Sequence, residues 1–289
     1  MSWVITGSQK INWDPSLIST ALWLDAADAS TVTTVSGNVS QWNDKSGNGR
    51  NAMQSTSGKR PAYQSAAQNG LNAVRFTAAS EHFLTAGTTS TWNFLHDGTD
   101  SSVFLVSRVR STGDNPDAAH GFISTASTGS ADKGALFFYD DRSIVPRNNA
   151  LVSIVYRAEI GVSTAISSVN DLITPGAYSI SSLYLDADNA TAASRIKFRV
   201  NGGADTGSNA LTNPASAGNS TDALNIGSTG AGATSRGFYL SGDICEILIL
   251  NTQPNITGRQ KLEGYLAHKW GLTANLPSDH PYKTAVPVP

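Results

Sequence analysis

One cysteine, Cys245, in a chain of 289 residues excludes an intrachain disulfide framework and any zinc site built from cysteine pairs. Charge is sparse as well: 15% of residues are charged, against roughly 25% in ordinary soluble domains, and the formal net charge is −2. No Lys/Arg run is present, which removes the electrostatic footprint of a nucleic-acid binder and the basic patch that seeks an anionic membrane. No segment reaches the roughly 18 consecutive apolar residues of a spanning helix. The opening MSWVITGSQKINWD lacks a basic stretch followed by an apolar core, so no signal peptide is expected. His82, His96, His120, His268 and His280 form no H-x-x-x-H pair, and neither a G-x-S-x-G elbow nor a Walker-type loop occurs. A metalloenzyme and a serine hydrolase therefore have no support in the sequence.

What the chain does have is Gly, Ser, Thr, Asn and Ala, arranged as turns between short apolar runs from Ala21 onwards. That spacing predicts an all-β sandwich as a single domain. Strands are expected at 21–27, 72–76, 102–109, 135–139, 151–158, 178–186, 195–200 and 242–250. In RIKFRV, Ile196, Phe198 and Val200 alternate with Arg195, Lys197 and Arg199, and Asn201, Gly202 and Gly203 follow as turn formers. The Gly/Ser/Asn/Ala-rich stretches 111–134 and 202–236 read as long surface loops, the usual carriers of recognition on a sandwich. Residues 1–20 lack strand alternation yet hold Trp3, Ile5, Ile11 and Trp13, which predicts an arm whose apolar groups bury against another chain, or else against their own sandwich. The tail 273–289, with Pro277, Pro281, Pro287 and Pro289, is expected to run extended.

The sharpest local signal is GDICEILIL at Gly242 to Leu250. Period-two alternation places Ile244, Leu248 and Leu250 on one face and Cys245, Ile247 and Ile249 on the other, so the strand should be central and Cys245 a buried, inert thiol. After it, Thr257 and Gln260 stand in a capping-box relation, and Leu262, Tyr265, Leu266 and Trp270 recur at helical spacing until Gly271. A helix over 258–270 follows, with His268 and Lys269 at its negative dipole end.

Read together, LWLDAADASTV (Leu22 to Val32), VSQWNDKSGNGRNAMQ (Val39 to Gln54), RPAYQ (Arg60 to Gln64), NGLNAVRF (Asn69 to Phe76), RIKFRVNGG, LNIGS (Leu224 to Ser228) and the GDICEILIL strand with EGYLAHKWGL and LPSDHPY resemble the laminin-G-like, concanavalin-A-like jelly-roll superfamily, in the version common in bacteriophage and bacterial proteins. The resemblance covers about residues 21–283. It implies a two-sheet antiparallel jelly roll over 21–272 with one C-terminal helix. The residues themselves read as architecture: DKSGNGRNA is a turn with Gly47 and Gly49 at positive φ and Asp44 and Asn48 bonding nearby amides, and Trp23 and Trp42 are core aromatics.

Glucanases of similar topology carry an E-x-D-x-x-E strand motif, since glycoside hydrolysis generally needs two carboxyls flanking one bond. Here Glu81, Glu159, Glu246 and Glu263 are followed two positions later by Phe83, Gly161, Leu248 and Tyr265, so the motif fails and no enzymatic activity is expected. No cofactor is implied, although Asp186, Asp188 and Asn189 resemble part of a calcium loop, broken at Ala190. The resemblance implies a non-enzymatic bacteriophage virion protein, a capsid decoration or head-fibre component or else a tail fibre, made in the bacterial host cytoplasm and carried on the virion surface. Its expected partners are other virion proteins such as the major capsid protein, and further copies of itself. The competing reading is a lectin-like module for bacterial surface polysaccharide, and an enzyme acting on glycans stands third. For docking the candidates are Trp3, Ile5, Ile11 and Trp13; for glycan they are Trp92, Tyr139, Asp140, Asp141 and Arg142.

Overall fold

The computed structural model describes residues 12–110, 119–126, 132–142, 147–157, 162–207, 211, 215–230 and 238–289. Trp3, Ile5 and Ile11 lie outside the described residues. The first half of the chain forms β1 (Leu22–Asp25), β2 (Val32–Val35), β3 (Asn38–Trp42), β4 (Ala52–Met53), β5 (Ala62–Gln68), β6 (Leu71–Phe76), β7 (Leu84–Ala86) and β8 (Ser101–Val109). The second forms β9 (Ala119–Ser124), β10 (Gly134–Asp140), β11 (Ala150–Arg157), β12 (Val162–Ser167), β13 (Ser179–Leu185), β14 (Ile196–Val200), β15 (Leu224–Ile226) and β16 (Gly242–Leu250), then the helix α1 (Ile256–Lys269). Strand pairing is antiparallel and continuous in the order β12-β11-β10-β9-β15-β7-β4-β3-β5-β6-β16-β8-β13-β14, with β1 added to β16 and β2 to β3. This ribbon closes over itself, because Phe137 of β10 stacks on Phe198 of β14 with ring centroids 6.2 Å apart. The result is a jelly-roll-like antiparallel sandwich with one C-terminal helix.

All eight predicted strands form. The stretch 111–134, read as a loop, contains β9, and 202–236 contains β15; β15 is only Leu-Asn-Ile, and β9 has a glycine and a histidine before its Phe-Ile pair, so neither shows an alternation in the sequence. The helix begins at Ile256, and its N-cap is Asn255, whose side chain accepts the Gly258 N–H at 2.8 Å, in place of the expected Thr257 capping box. Gly271 ends it as expected, in the left-handed region at φ +67°.

The apolar side chains divide into an inner core between the two sheets and an outer core between one sheet and α1. Leu22, Leu24, Val39, Trp42, Val74, Phe76, Phe137, Phe198, Ile244, Ile247 and Ile249 belong to the first. Trp13, Trp23, Phe104, Cys245, Leu248, Leu250, Leu262, Leu266 and Trp270 belong to the second. The faces of β16 thus differ from plain alternation: Ile244 shares its side with Ile247 and Ile249, and Cys245 with Leu248 and Leu250. A β-bulge causes this, since the register against β8 skips between Ile244 and Glu246 and one extra residue reverses the phase of everything after it. At the same point the other edge of β16 changes partner, from β6 at Gly242 to Ile244 to β1 at Glu246 to Ile249. Cys245 is buried, and burial pushes its thiol well above the ordinary range.

The bulge turns Glu246, wholly buried, towards the helix. Its Oε1 accepts from Trp23 Nε1 at 2.8 Å and Tyr265 Oη at 3.0 Å; its Oε2 accepts from Trp270 Nε1 at 2.7 Å and Lys269 Nζ at 2.7 Å. Lys269 also pairs with Asp25 at 2.7 Å, and Asp25 with Lys45 at 2.9 Å. Burial pushes the Glu246 carboxyl up and the Lys269 charge opposes it. Every partner is a donor, so the geometry is built for the carboxylate. Burial and the Glu246 charge together raise Tyr265, which keeps its phenol a donor.

Tail and helix meet as closely as backbones allow. A Cβ on Gly264 would lie 2.5 Å from Tyr282 Cβ, so the glycine is what admits the tail. His268 Nε2 lies 2.8 Å from Tyr282 O, and Lys283 Nζ donates to the carbonyls of Thr273, Ala274 and Leu276 at the end of the preceding turn.

Glu246→Gln keeps the volume but sets an amide N–H against indole and ammonium donors. Removing one partner of a buried pair typically costs about 3–5 kcal/mol. Guanidinium unfolding of the variant should show a loss near the lower figure, because Asp25 still holds Lys269. A change below about 1 kcal/mol would show that the clamp does not hold the helix.

Candidate functional site

Of the predicted docking residues, the structure describes Trp13 and places it inside its own chain. The residue is 5% exposed, its ring lies edge-on to Tyr265 at 6.2 Å, and its backbone N–H donates to Pro287 O at 3.0 Å. Trp13 therefore belongs to the outer core and presents no free docking face. The cause is packing against Tyr265 of α1 and a backbone bond to Pro287 of the tail, contacts that no periodicity announces.

Of the predicted glycan residues, Trp92 is corrected in the same way. Trp92 is fully buried, with Nε1 donating to Ala86 O at 2.9 Å, so no indole face is open to a sugar. Tyr139, Asp140, Asp141 and Arg142 do come together at the end of β10, where Tyr139 and Asp140 are buried and bonded within the chain, while Asp141 Oδ1 is buried without a hydrogen-bond partner. Asp140 is buried and held by Arg142 through two 2.8 Å bonds and by Arg147 at 3.3 Å. Burial raises its carboxyl, and the hydrogen bonds and charge of Arg142 outweigh that, leaving it below the usual carboxylate range. The Tyr139 ring is buried and its hydroxyl donates to Asn149 Oδ1 at 2.5 Å; burial and the Asp141 charge push this phenol up. The Arg142 guanidinium lies over the Phe238 ring at 4.6 Å.

Asp186 and Asp188 lie near Asp100, whose carboxyl is raised first by burial and then by their charges. Asp186 accepts from Asn189 Nδ2 at 2.6 Å. Among the described residues no group of three His, Cys, Asp or Glu side chains is placed to hold a metal ion. The DKSGNGRNA segment is the structural turn expected: Asp44 accepts from the N–H groups of Trp23, Ser46 and Arg50 at 2.9–3.0 Å, and Asn48 donates to Thr20 O at 2.9 Å.

An open concave surface lies elsewhere, on the outer face of β2, β3, β4 and β7. The register makes a cross-strand row, Thr33 opposite Gln41, Gln41 opposite Met53, Met53 opposite Thr85, and Thr85 opposite Asn225. Inward neighbours explain the outward direction: Ala52, Leu84, Ala86, Leu224 and Ile226 all enter the inner core, and period two sends Met53, Thr85 and Asn225 the other way. On β3 the register skips Ser40, a bulge that leaves Val39 and Trp42 inside and both Ser40 and Gln41 outside. The groove between this row and the segment 54–60 has a volume of about 550 Å³ and is lined by Thr33, Ser40, Gln41, Met53, Gln54, Ser55, Thr56, Arg60, Phe83 and Thr85.

Its wall is fixed by hydrogen bonds. Gln54 Nε2 donates to Phe83 O at 3.1 Å and its Oε1 accepts the Thr56 N–H at 3.0 Å, while Arg60 donates to the carbonyls of Gln54 and Ser55 at 2.8 Å each. Met53 is 55% exposed, a large apolar group left uncovered at the centre of a polar surface. A second cleft of about 390 Å³ near Arg199, Arg259 and His280 is less open to ligands, because Arg199 is held by Asp205 at 2.5 Å and His280 by Glu263 at 3.2 Å. Sequence reasoning missed the groove because its strands are two to five residues long and are brought together only by the register.

No protein-family model matches the sequence, and no curated protein matches it. Among solved structures, the chain is similar to the binding domain of botulinum neurotoxin serotype D, with a TM-score of 0.52, 10% identity, and 82% of this chain and 48% of that one covered. It is likewise similar to the receptor binding domain of botulinum neurotoxin mosaic serotype C/D (TM-score 0.53, 10% identity, 85% and 50% covered) and to the serotype C1 binding domain (0.52, 14%, 84% and 51%). The chain spans about half the length of these structures, and at such identity the likeness is one of fold.

Beside the Tyr139 cluster, His120 is 2% exposed and its Nδ1 accepts the Ser241 N–H at 3.0 Å, which requires the neutral ring; burial lowers its pKa from 6.5 to about 4. A pKa depressed on folding means the unfolded chain binds more protons in this window. The associated stability is complete above pH 6.5 and is lost as pH falls towards about 4, on the order of 3 kcal/mol in all. His120→Asn removes the titration and keeps an acceptor for Ser241, so urea unfolding of this variant should depend less on pH between about 6.5 and about 4 than that of the parent. Identical pH slopes would refute the assignment.

Proposed function

We propose that the chain is a non-enzymatic carbohydrate-binding jelly roll that recognises glycan through the groove on β2, β3, β4 and β7. The observation that carries this reading is the groove's lining, hydroxyl and amide groups around exposed Met53 with no carboxylate among them. Hydroxyl and amide side chains both donate and accept, as sugar hydroxyls do, and an apolar centre suits the C–H face of a pyranose. The absence of acids from the lining supports binding without hydrolysis, since glycosidases generally need two carboxyls on one bond. The carboxylates deepest in the molecule, Glu246, Asp243 and Asp140, are all engaged in ion pairs. Two of the similar structures are a binding domain and a receptor-binding domain, and recognition is a use to which this fold is put.

The finer reading is that the module serves on the surface of a bacteriophage virion, as a capsid decoration or head-fibre component, with a tail fibre as the alternative position. Its support is the sequence resemblance together with one geometric point. The segment at Trp13 and the tail at Pro287 lie side by side on the helix side of the sandwich, while the groove opens on the outer face of the other sheet. A chain held by its helix side would present the groove outwards.

Thr85→Trp should fill the groove from its floor and weaken retention on host surface polysaccharide by at least about tenfold, with the melting temperature unchanged. Unaltered binding in this variant would move the site off the groove. Deletion of residues 1–11, which spares Trp13, should leave the melting temperature unchanged and prevent incorporation into particles, as read by mass spectrometry of purified virions. Normal incorporation would show that attachment lies elsewhere.

A further inference from the structure

We infer that the groove takes an anionic group of its glycan, a carboxylate or a phosphate, on the free edge of Arg60; this rests on the groove being the carbohydrate site. Arg60 is the charged residue of the lining, and no carboxylate lines the groove beside it. Arg75, Arg108, Arg142, Arg147 and Arg199 each pair with an aspartate, whereas among the described residues Arg60 is held by backbone carbonyls alone. Its Nε donates to Gln54 O and its Nη2 to Ser55 O, both at 2.8 Å. These bonds use the Nε/Nη2 edge of the fork and leave the Nη1/Nη2 edge to a ligand. That edge offers two parallel N–H groups, the arrangement that meets both oxygens of a carboxylate or phosphate. The bonds to the wall also fix the guanidinium before a ligand arrives, so little side-chain freedom is lost on binding. Lys59, next in sequence, is paired with Glu81, and neither lines the groove.

The rest of the lining suits the uncharged part of the same ligand. Gln41 Nε2 is committed to Asn43 Oδ1 at 2.6 Å, which leaves its Oε1 as an acceptor for a sugar hydroxyl. Ser40 Oγ donates to Thr33 O at 3.1 Å and keeps its lone pairs. Met53 offers its exposed apolar surface to a pyranose ring. Acceptors of this kind repel an anion, so the acidic group is directed to the wall, where Arg60 supplies donors and charge together. Because the contact is ionic and open to solvent, affinity for an acidic glycan should fall with salt.

The test is retention of the full chain on host surface polysaccharide in three forms: native, with its carboxyls reduced to alcohols, and with its phosphates removed. Native polymer should be held at least about tenfold tighter than one of the stripped forms, and which form that is identifies the anion. Raising salt from about 0.05 M to about 0.5 M should weaken the native complex at least about threefold and change that of the stripped form less than about twofold. Arg60→Gln removes the charge. Thr56→Glu places a carboxylate on the same wall and spares both bonds of Arg60, since Thr56 is exposed and its side chain makes no capping bond. Each variant should lower native binding at least about tenfold and leave the stripped form unchanged. If Arg60→Gln weakens both forms, the wall itself has shifted and Thr56→Glu decides. Equal retention of all three forms, or a preference for native polymer that survives Thr56→Glu, would overturn the inference while leaving carbohydrate binding intact. If no form is retained, the carbohydrate reading falls with it.

Discussion

Glu246 is the point on which the architecture turns. A carboxylate removed from water inside a sheet is costly unless every oxygen finds donors, and here four donors converge from β1 and α1. They come from residues far apart in sequence, so the pairing forms only when β1 lies along β16 and α1 lies across both. An apolar residue of similar volume could supply comparable stability, but it would specify no rotation of the helix. With two indole N–H groups, a phenol and an ammonium fixed in direction, Glu246 sets both where α1 sits and which face it turns inward. Asp25 and Lys45 extend the network to the turn that begins at Asp44, tying the first strand, its following turn and the last helix into one electrostatic unit.

Asp243, three residues earlier, does the analogous work at the other end of the bulge. It accepts from Arg75 at 2.7 Å and 3.1 Å, from Arg108 at 2.5 Å and from Tyr178 Oη at 2.6 Å. Burial raises this carboxyl, and the arginine and tyrosine bonds bring it below the ordinary value. Both acids of the GDICE sequence are thus structural. The bulge at Cys245 is what allows them to share the outer face with Leu248 and Leu250 while Ile244, Ile247 and Ile249 stay within the sandwich.

Strands with four or more apolar or alternating residues were legible in the sequence, because burial on one face imposes period two and the turns are marked by Gly, Asn and Asp. The helix was legible too, although its cap was not: Asn255 and Thr257 are both competent, and only the path of the chain leaving β16 decides between them. What could not be read is whatever a bulge changes. One extra residue at Cys245 and another at Ser40 reverse the phase of their strands, and neither leaves a compositional mark. The site suffered most. Trp92 and Tyr139 stand next to polar residues in the sequence, yet their rings are core and their polar atoms find partners within the chain. The groove residues are ordinary Thr, Ser and Gln in short strands, made notable only by the register that lines them up.

The two outer faces of the sandwich have unlike fates for a physical reason. On the helix side, aromatic and aliphatic side chains demand cover, and α1, the segment at Trp13 and the tail provide it. On the other side, Phe238 packs against the outer cluster of Leu136, Phe138 and Val152, closing the part of the sheet built from β9 to β11. That cover does not extend over Met53 and Thr85. Hydroxyl and amide groups there surround Met53 and Phe83, and Met53 is left as a large exposed side chain beside polar ones. An open surface of this kind, rigid because its wall is held by Gln54 and Arg60, is already organised before any ligand arrives. Binding there would order few side chains, which is the condition under which weak hydroxyl contacts can add up to recognition.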